Sequence, residues 1–216
     1  MGNDNAFEWY EDWSELQAPL LSHLPNPTTP NTRAGCGTSH LSEHLYDVGF
    51  KAITNIDLSE IAISDMLCRN ACQRPGMKWQ VMDITTMQFE DESFDVVVDK
   101  GGLDALMEPE TNKFTIANGT KVNRVLKCGG KFICFSWAWS DVLGTQSLKL
   151  ELPVCFSLHA IPLKLITKPN NLQTFMVVAG KDQMPTAILH QITTSSSLNT
   201  TYGNQACRLQ LEALGK

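Results

Sequence analysis

Three carboxylates in this chain stand directly behind a short apolar run, and one glycine turn stands ahead of the first of them. The turn is Gly35-Cys36-Gly37, within "GCGTSH". Asp57 follows "AITNI", Asp83 follows "KWQVM", and Asp99 follows "FDVVV", with Lys100 and Gly101 behind it. Glycines at such a turn let the backbone bend tightly and meet a ligand without Cβ clashes. An acid 20 residues beyond Gly37 is placed to accept hydrogen bonds from two ribose hydroxyls. Asp83 can accept from the exocyclic amine of adenine, while Ile84 beside it packs on the ring. Together they describe a pocket for an adenosine-containing cofactor.

The sixth position of the glycine motif distinguishes the cofactors. A dinucleotide site needs a third glycine there, for close contact of helix and pyrophosphate; this chain has His40. S-adenosylmethionine carries no pyrophosphate and needs only the shorter turn with acids for ribose and adenine, so it is the better fit. A nucleotide P-loop is excluded, because "GGKF" lacks both the upstream glycine spacing and the Ser/Thr after the lysine.

The elements that must position these residues alternate along the chain. "FEWYEDWSELQAPLL" (7–21) spaces Phe7, Tyr10, Trp13 and Leu16 as one face of a helix. Pro25, Pro27 and Pro30 then impose a linker. "LSEHLYDV" predicts a helix closed by Gly49, "AITNID" a strand, and "SEIAISDMLCRNAC" a helix capped by Ser59. "KWQVMD" and "SFDVVVDK" predict strands, "ETNKFTIANGTKVNRVLK" a helix stopped at Cys128-Gly129-Gly130, and "KFICFSW" a strand. "PVCFSLHAI" and "LQTFMVVAGK" close the series. Apolar strands alternating with helices predict an α/β fold: a mostly parallel, doubly wound, Rossmann-like sheet. The expected organisation is an N-terminal helix and proline-rich linker over 1–30, the main domain over 31–182, and a loosely ordered tail over 183–216.

Composition narrows the partners. Across 216 residues, 43% are hydrophobic and 19% charged, as in ordinary globular domains. A net charge of −6 argues against a dominant nucleic-acid or anionic-membrane surface. No run of about 18 apolar residues predicts a membrane span, and the acidic, aromatic start is unlike a signal peptide, so cytoplasmic placement is the expectation. Seven cysteines read as reduced thiols; Cys68 and Cys72 share a helix face, but no second pair completes a zinc site, and no metal is expected.

The segments "FEWYEDW", "GCGTSHLSEHLYDVGF", "ITNIDLS", "MKWQVMDITTMQFEDESFDVVVDKGGLDALM" and "VNRVLKCGGKFICFS" resemble the N-terminal domain of the methyltransferase-like 13 group, most nearly its plant members. The resemblance spans roughly residues 7–182. It implies a class I methyltransferase fold with an antiparallel closing strand, S-adenosyl-L-methionine as cofactor, and protein lysine or N-terminal methylation, with translation elongation factor 1-alpha as the substrate. By motif, it implies that Gly35, Cys36 and Gly37 flank the methionine part, Asp57 with Leu58 the ribose, and Asp83 with Ile84 the adenine. Asp99 and Lys100 fall where the methyl group meets its acceptor, and Asp99 is the candidate to orient an acceptor amine. Many members continue into a second methyltransferase-like domain, for which 216 residues leave no room, so the chain reads as a truncated form.

One departure stands out. Members carry an apolar strand before the glycine turn, whereas this chain reads "PTTPNTRA". Proline removes ladder hydrogen bonds from a central strand, so the first strand is expected to be degenerate, with "NTRA" at most a stunted one. A catalytically inactive relative that keeps the fold as a binding module, and a small-molecule methyltransferase, both stay open on the residues alone. Asp104 is expected to cap a helix, Trp9 and Trp13 to pack a helix on the core, and His40 and His44 to lie on a helix surface.

Overall fold

The computed structural model describes residues 8–27, 31–34, 36–107, 116–136, 156–162 and 174–181. Among them, seven strands form one sheet: β1 (Asn31–Ala34), β2 (Ile53–Asp57), β3 (Lys78–Val81), β4 (Phe94–Lys100), β5 (Leu126–Ser136), β6 (Phe156–Pro162) and β7 (Phe175–Lys181). Their order is β3-β2-β1-β4-β5-β7-β6. Neighbours from β3 through β5 are parallel, and β7 runs antiparallel between β5 and β6. Five helices accompany them: α1 (Trp13–Leu21), α2 (Leu41–Asp47), α3 (Glu60–Asn70), α4 (Gly102–Met107) and α5 (Ile116–Val125). The chain order β1-α2-β2 moves outward to β3, then returns to β4 on the other side of β1. The switch point of the sheet therefore lies between β1 and β4, where open α/β sheets bind ligands.

The first strand forms, and it is short. Asn31 to Ala34 pair with Ile53–Ile56 on one side and Val96–Asp99 on the other. It starts only after Pro30, so no proline enters the ladder. Four residues suffice to join the two halves of the sheet, because β4 beside it is apolar enough to bury itself on both faces. Val96 and Val98 pack with Leu16, Leu20, Leu41, Leu45 and Phe135 in one cluster. Val97 packs with Ile56, Val122, Val125 and Leu126 in the other. That two-sided burial is why β4 reads as a continuous apolar run.

Local chemistry sets several boundaries. The α2 helix ends in a left-handed Gly49 (φ +119), with Phe50 N–H donating to Leu45 O and Gly49 N–H to Tyr46 O, the pattern of a glycine helix stop. Ser59 caps α3, its hydroxyl accepting from Ala62 N–H at 3.2 Å. The helix expected from residue 7 begins instead at Trp13. The preceding residues leave the helical path because their side chains are held elsewhere, as described below. The strand expected from Lys131 begins at Leu126, which pairs with Phe94 ahead of an irregularity in the ladder. The expected tail over 183–216 and the first turns of the helix expected from 110 lie outside the described residues.

Candidate active site

The glycine turn and the acid of β2 are joined directly. Gly37 adopts φ +49, and a Cβ built there meets nothing within 4 Å, so the turn faces open space. Its N–H donates to Asp57 Oδ2 at 2.8 Å. Asp57 Oδ1 accepts from Ser59 N–H at 2.8 Å, and Asp57 O accepts from Met82 N–H at 2.9 Å. These three bonds draw the glycine turn, the end of β2 and the end of β3 to one ledge. Cys36 is buried, its N–H donating to Ile56 O at 3.0 Å. Gly35 lies outside the described residues.

The ledge continues along the sheet edge. Leu58, next to Asp57, is 62% exposed. Asp83 accepts from Thr85 N–H at 2.7 Å and so starts the short 3-10 turn Ile84–Thr86, while half-buried Ile84 packs against the second core cluster. A carboxylate oxygen holds about two acceptor lone pairs, so Asp57 can receive further donors while it holds Gly37 and Ser59. Open space over the glycine turn, an acceptor beside it and an exposed apolar side chain match the ribose and base of an adenosyl cofactor.

The chain's own N-terminal segment covers the adjoining edge, at the ends of β4 and β5. Glu8 accepts from Lys100 Nζ at 2.6 Å, from Ser39 Oγ at 2.9 Å and from His40 N–H at 2.5 Å. The Lys100 side chain is only 2% exposed. Burial alone would raise the Glu8 carboxyl, but the hydrogen bonds from Lys100, the His40 amide and Ser39, with the Lys100 charge, hold it below its ordinary value. Two residues on, Tyr10 takes a left-handed φ of 70 and donates its hydroxyl to Asp104 Oδ2 at 2.8 Å. Glu11 Oε1 accepts from Thr174 Oγ1 at 3.1 Å. Ser136, the last residue of β5, donates to Asp104 Oδ1 at 2.6 Å. A strap of four residues is thereby stitched to β4, α2, α4 and the start of β7.

Asp99 and Lys100 fall at the switch point, at different depths. Asp99 is fully buried in β4, in register with Ala34 and Cys134, and its Oδ2 accepts weakly from Cys134 Sγ at 3.5 Å. Burial and the Asp99 charge push the Cys134 thiol up. Lys100 is committed to Glu8. Asp104 lies in the first turn of α4, and its carboxylate receives the two hydroxyls. Trp13 stacks on His44 at 5.1 Å and joins the core margin, whereas Trp9 is 56% exposed. His40 Nδ1 meets Glu43 Oε2 at 2.8 Å. A cleft of about 280 Å³ between α1 and α2 is lined by Glu8, Asp12, Trp13, His40, His44 and Lys100, among others.

The sequence assigned no role to Glu8 or Ser136, and placed Tyr10 only on the face of a helix. Their partners lie 92, 94 and 32 positions away, and no local periodicity reports such pairings. The one local hint is Gly101, at φ +87 with the Tyr10 ring 2.5 Å from where its Cβ would stand.

Residues 32–134 match the family described as "Methyltransferase domain". The chain is 46% identical over 144 residues to the eEF1A lysine and N-terminal methyltransferase of Xenopus laevis, a match covering 65% of this chain and 20% of that protein. It is 36% identical over 218 residues to the homologue of that enzyme in Drosophila melanogaster, covering 91% of this chain and 32% of the relative. It thus spans about a fifth to a third of the length of these curated relatives. Among solved structures, a SAM-dependent methyltransferase from Methanosarcina mazei superimposes with a TM-score of 0.59 at 18% identity, covering 77% of this chain and 98% of that one. The fold is that of the class I methyltransferases.

Proposed function

We propose that this chain, whose residues 32–134 match the family described as "Methyltransferase domain", is an S-adenosylmethionine-dependent methyltransferase that modifies a protein amine. The observation that carries the reading is the Gly37–Asp57 contact at the switch side of the sheet, with Leu58 exposed beside it. Asp57 would accept from the ribose hydroxyls, Leu58 and Ile84 would flank the base, Asp83 would accept from its amine, and the turn around Cys36 and Gly37 would border the methionine part. Bound there, S-adenosylmethionine would supply a methyl carbon on a sulfonium for transfer to an amine lone pair, with a neutral thioether as the leaving group.

The chain's residues contribute alignment and exclusion of water, which supply much of the advantage when the cofactor carries the reactive group. The strap closes the edge beside β4 through Glu8 and Tyr10, so the acceptor approaches a site walled from solvent on that side. An acceptor lysine must lose a proton from an amine whose ordinary pKa is about 10.4. Desolvation favours the neutral amine, while a nearby carboxylate binds the ammonium and can accept its proton as a general base.

The two relatives' names make eEF1A, on a lysine or at its N-terminus, the acceptor to test first, and cytoplasmic placement belongs to the same reading. Incubating the full chain with purified eEF1A and S-adenosylmethionine, then locating added mass by peptide mass spectrometry, tests it. The expected result is a 14-Da increment, or a multiple of about that size, on one amine. Unmodified eEF1A after prolonged incubation, with cofactor shown to be bound, would move the acceptor to another molecule.

A further inference from the structure

We infer that Asp104, held between the Tyr10 and Ser136 hydroxyls, is the carboxylate that receives the acceptor's ammonium group. The inference rests on the methyltransferase reading and adds to it the residue that positions the substrate. It also replaces Asp99 in the role that the sequence suggested for it.

Depth separates the two acids. Asp99 is fully enclosed in the centre of the sheet, against the Cys134 thiol. Asp104 stands just past the end of β4 and keeps partial exposure. It therefore sits nearer to where a macromolecular acceptor can bring a side chain, in the first turn of α4 behind the strand that borders the switch point.

Three distant stretches converge on it. Tyr10 arrives from the N-terminal strap and Ser136 from the end of β5, at 2.8 and 2.6 Å. Both hydroxyls donate to the carboxylate, so toward a third group each oxygen acts as an acceptor. A carboxylate with two hydroxyl oxygens beside it suits a group made only of donors, which a primary ammonium is. Burial, the Asp104 carboxylate and the charge of Asp99 push the Tyr10 phenol well above its ordinary value, so it stays neutral and donates its hydroxyl hydrogen to Asp104.

The backbone is arranged for this contact. A bulky residue at positive φ is uncommon and strained, and Tyr10 sits at φ 70. Its ring lies so close to Gly101 that any side chain there would meet it at 2.5 Å. A glycine with φ +87 and a tyrosine out of its usual region are both needed to lay the phenol over the end of β4. Asp104 as a simple helix cap would require neither.

Titrating n-butylammonium chloride into the 15N-labelled full chain, with 1-butanol as the uncharged control, reads the site without needing turnover. Saturable amide shifts centred on Tyr10, Asp104 and Ser136 are expected with the ammonium and not with the alcohol, and Asp104→Asn should abolish them while its thermal midpoint stays within a few degrees. With eEF1A as acceptor, Asp104→Asn should lower kcat/KM at least about 100-fold, chiefly through KM, with the S-adenosylmethionine Kd unchanged within about threefold; Tyr10→Phe should give a smaller loss of the same kind. Absence of saturable shifts in the wild type, or equal shifts in Asp104→Asn, overturns the assignment. Failure of the parent reading looks different, since cofactor binding and transfer would then be missing while the ammonium shifts persist.

Discussion

The amide of Gly37 donates to the carboxylate of Asp57 at 2.8 Å, across 20 residues of sequence. The bond fixes the acid of the second strand against the turn that follows the first, and so sets the width of the ledge between them. Replacing Asp57 with Asn puts a poorer acceptor in front of two N–H donors and the cofactor's hydroxyls. Calorimetric titration should show S-adenosylmethionine binding 10- to 100-fold weaker in Asp57→Asn, a loss of about 1.4–2.7 kcal/mol. Unchanged affinity would remove Asp57 from the site.

Leu58 separates binding from folding. At 62% exposure it contributes little to the core, so Leu58→Ser should move the unfolding free energy by no more than about 0.5 kcal/mol. If it packs on the cofactor, the same change should weaken S-adenosylmethionine several-fold. Chemical denaturation and calorimetry on one variant read both.

The Glu8–Lys100 pair should make the strap sensitive to single substitutions. Lys100→Met leaves the Glu8 carboxylate without its cation in a largely buried place, and breaking such a pair costs about 3 kcal/mol or more. Urea unfolding should show that loss. Limited proteolysis should cut first between residues 8 and 12, where the strap has been released.

The pH dependence follows from the same group. Glu8 is held below its ordinary value of 4.5 by its hydrogen bonds and the Lys100 charge, against the opposing effect of burial. Glu43 is held down likewise: burial would raise it, but bonds from His40 and Asn70 and the Arg69 charge win. A carboxyl depressed in the folded state contributes stability in full above its unfolded value and loses it as pH falls through the folded one. Urea midpoints should therefore hold from neutral pH to about 4.5 and drop below it, and Glu8→Gln should be less stable at pH 7 and flatter in acid.

Gly101 is the steric counterpart of Tyr10. Gly101→Ala meets the ring at 2.5 Å and adds strain at φ +87, for a combined loss of roughly 2–3 kcal/mol. In the Tyr10→Ala background the ring clash is gone while the φ strain stays, so the double-mutant cycle should recover only part of the loss.

Much of the fold was legible because β4 and β5 carry their burial in their own composition, and Gly49 and Ser59 mark helix ends by local rules. The first strand was harder. "NTRA" has no apolar pattern, and it forms a strand because β2 and β4 offer ladders on both sides, a tertiary cause that local propensity does not register. The same applies to the strap, where helical spacing of Phe7, Tyr10 and Trp13 pointed to a helix. Its actual path is set by Glu8 reaching Lys100 and Tyr10 reaching Asp104. On the cofactor side, Asp57 and Asp83 could be found from their place after apolar runs, and Gly37 from the glycine spacing of its turn. On the acceptor side, the relevant contacts join the N-terminal strap to residues 92 and 94 positions further along the chain.

The central claim is that this ledge binds S-adenosylmethionine, and isothermal titration of the full chain with that cofactor tests it most directly. The account predicts saturable one-to-one binding with a Kd well below about 1 mM, more favourable than about −4 kcal/mol, and weakened by Asp57→Asn. No detectable binding at millimolar cofactor to folded protein would contradict it.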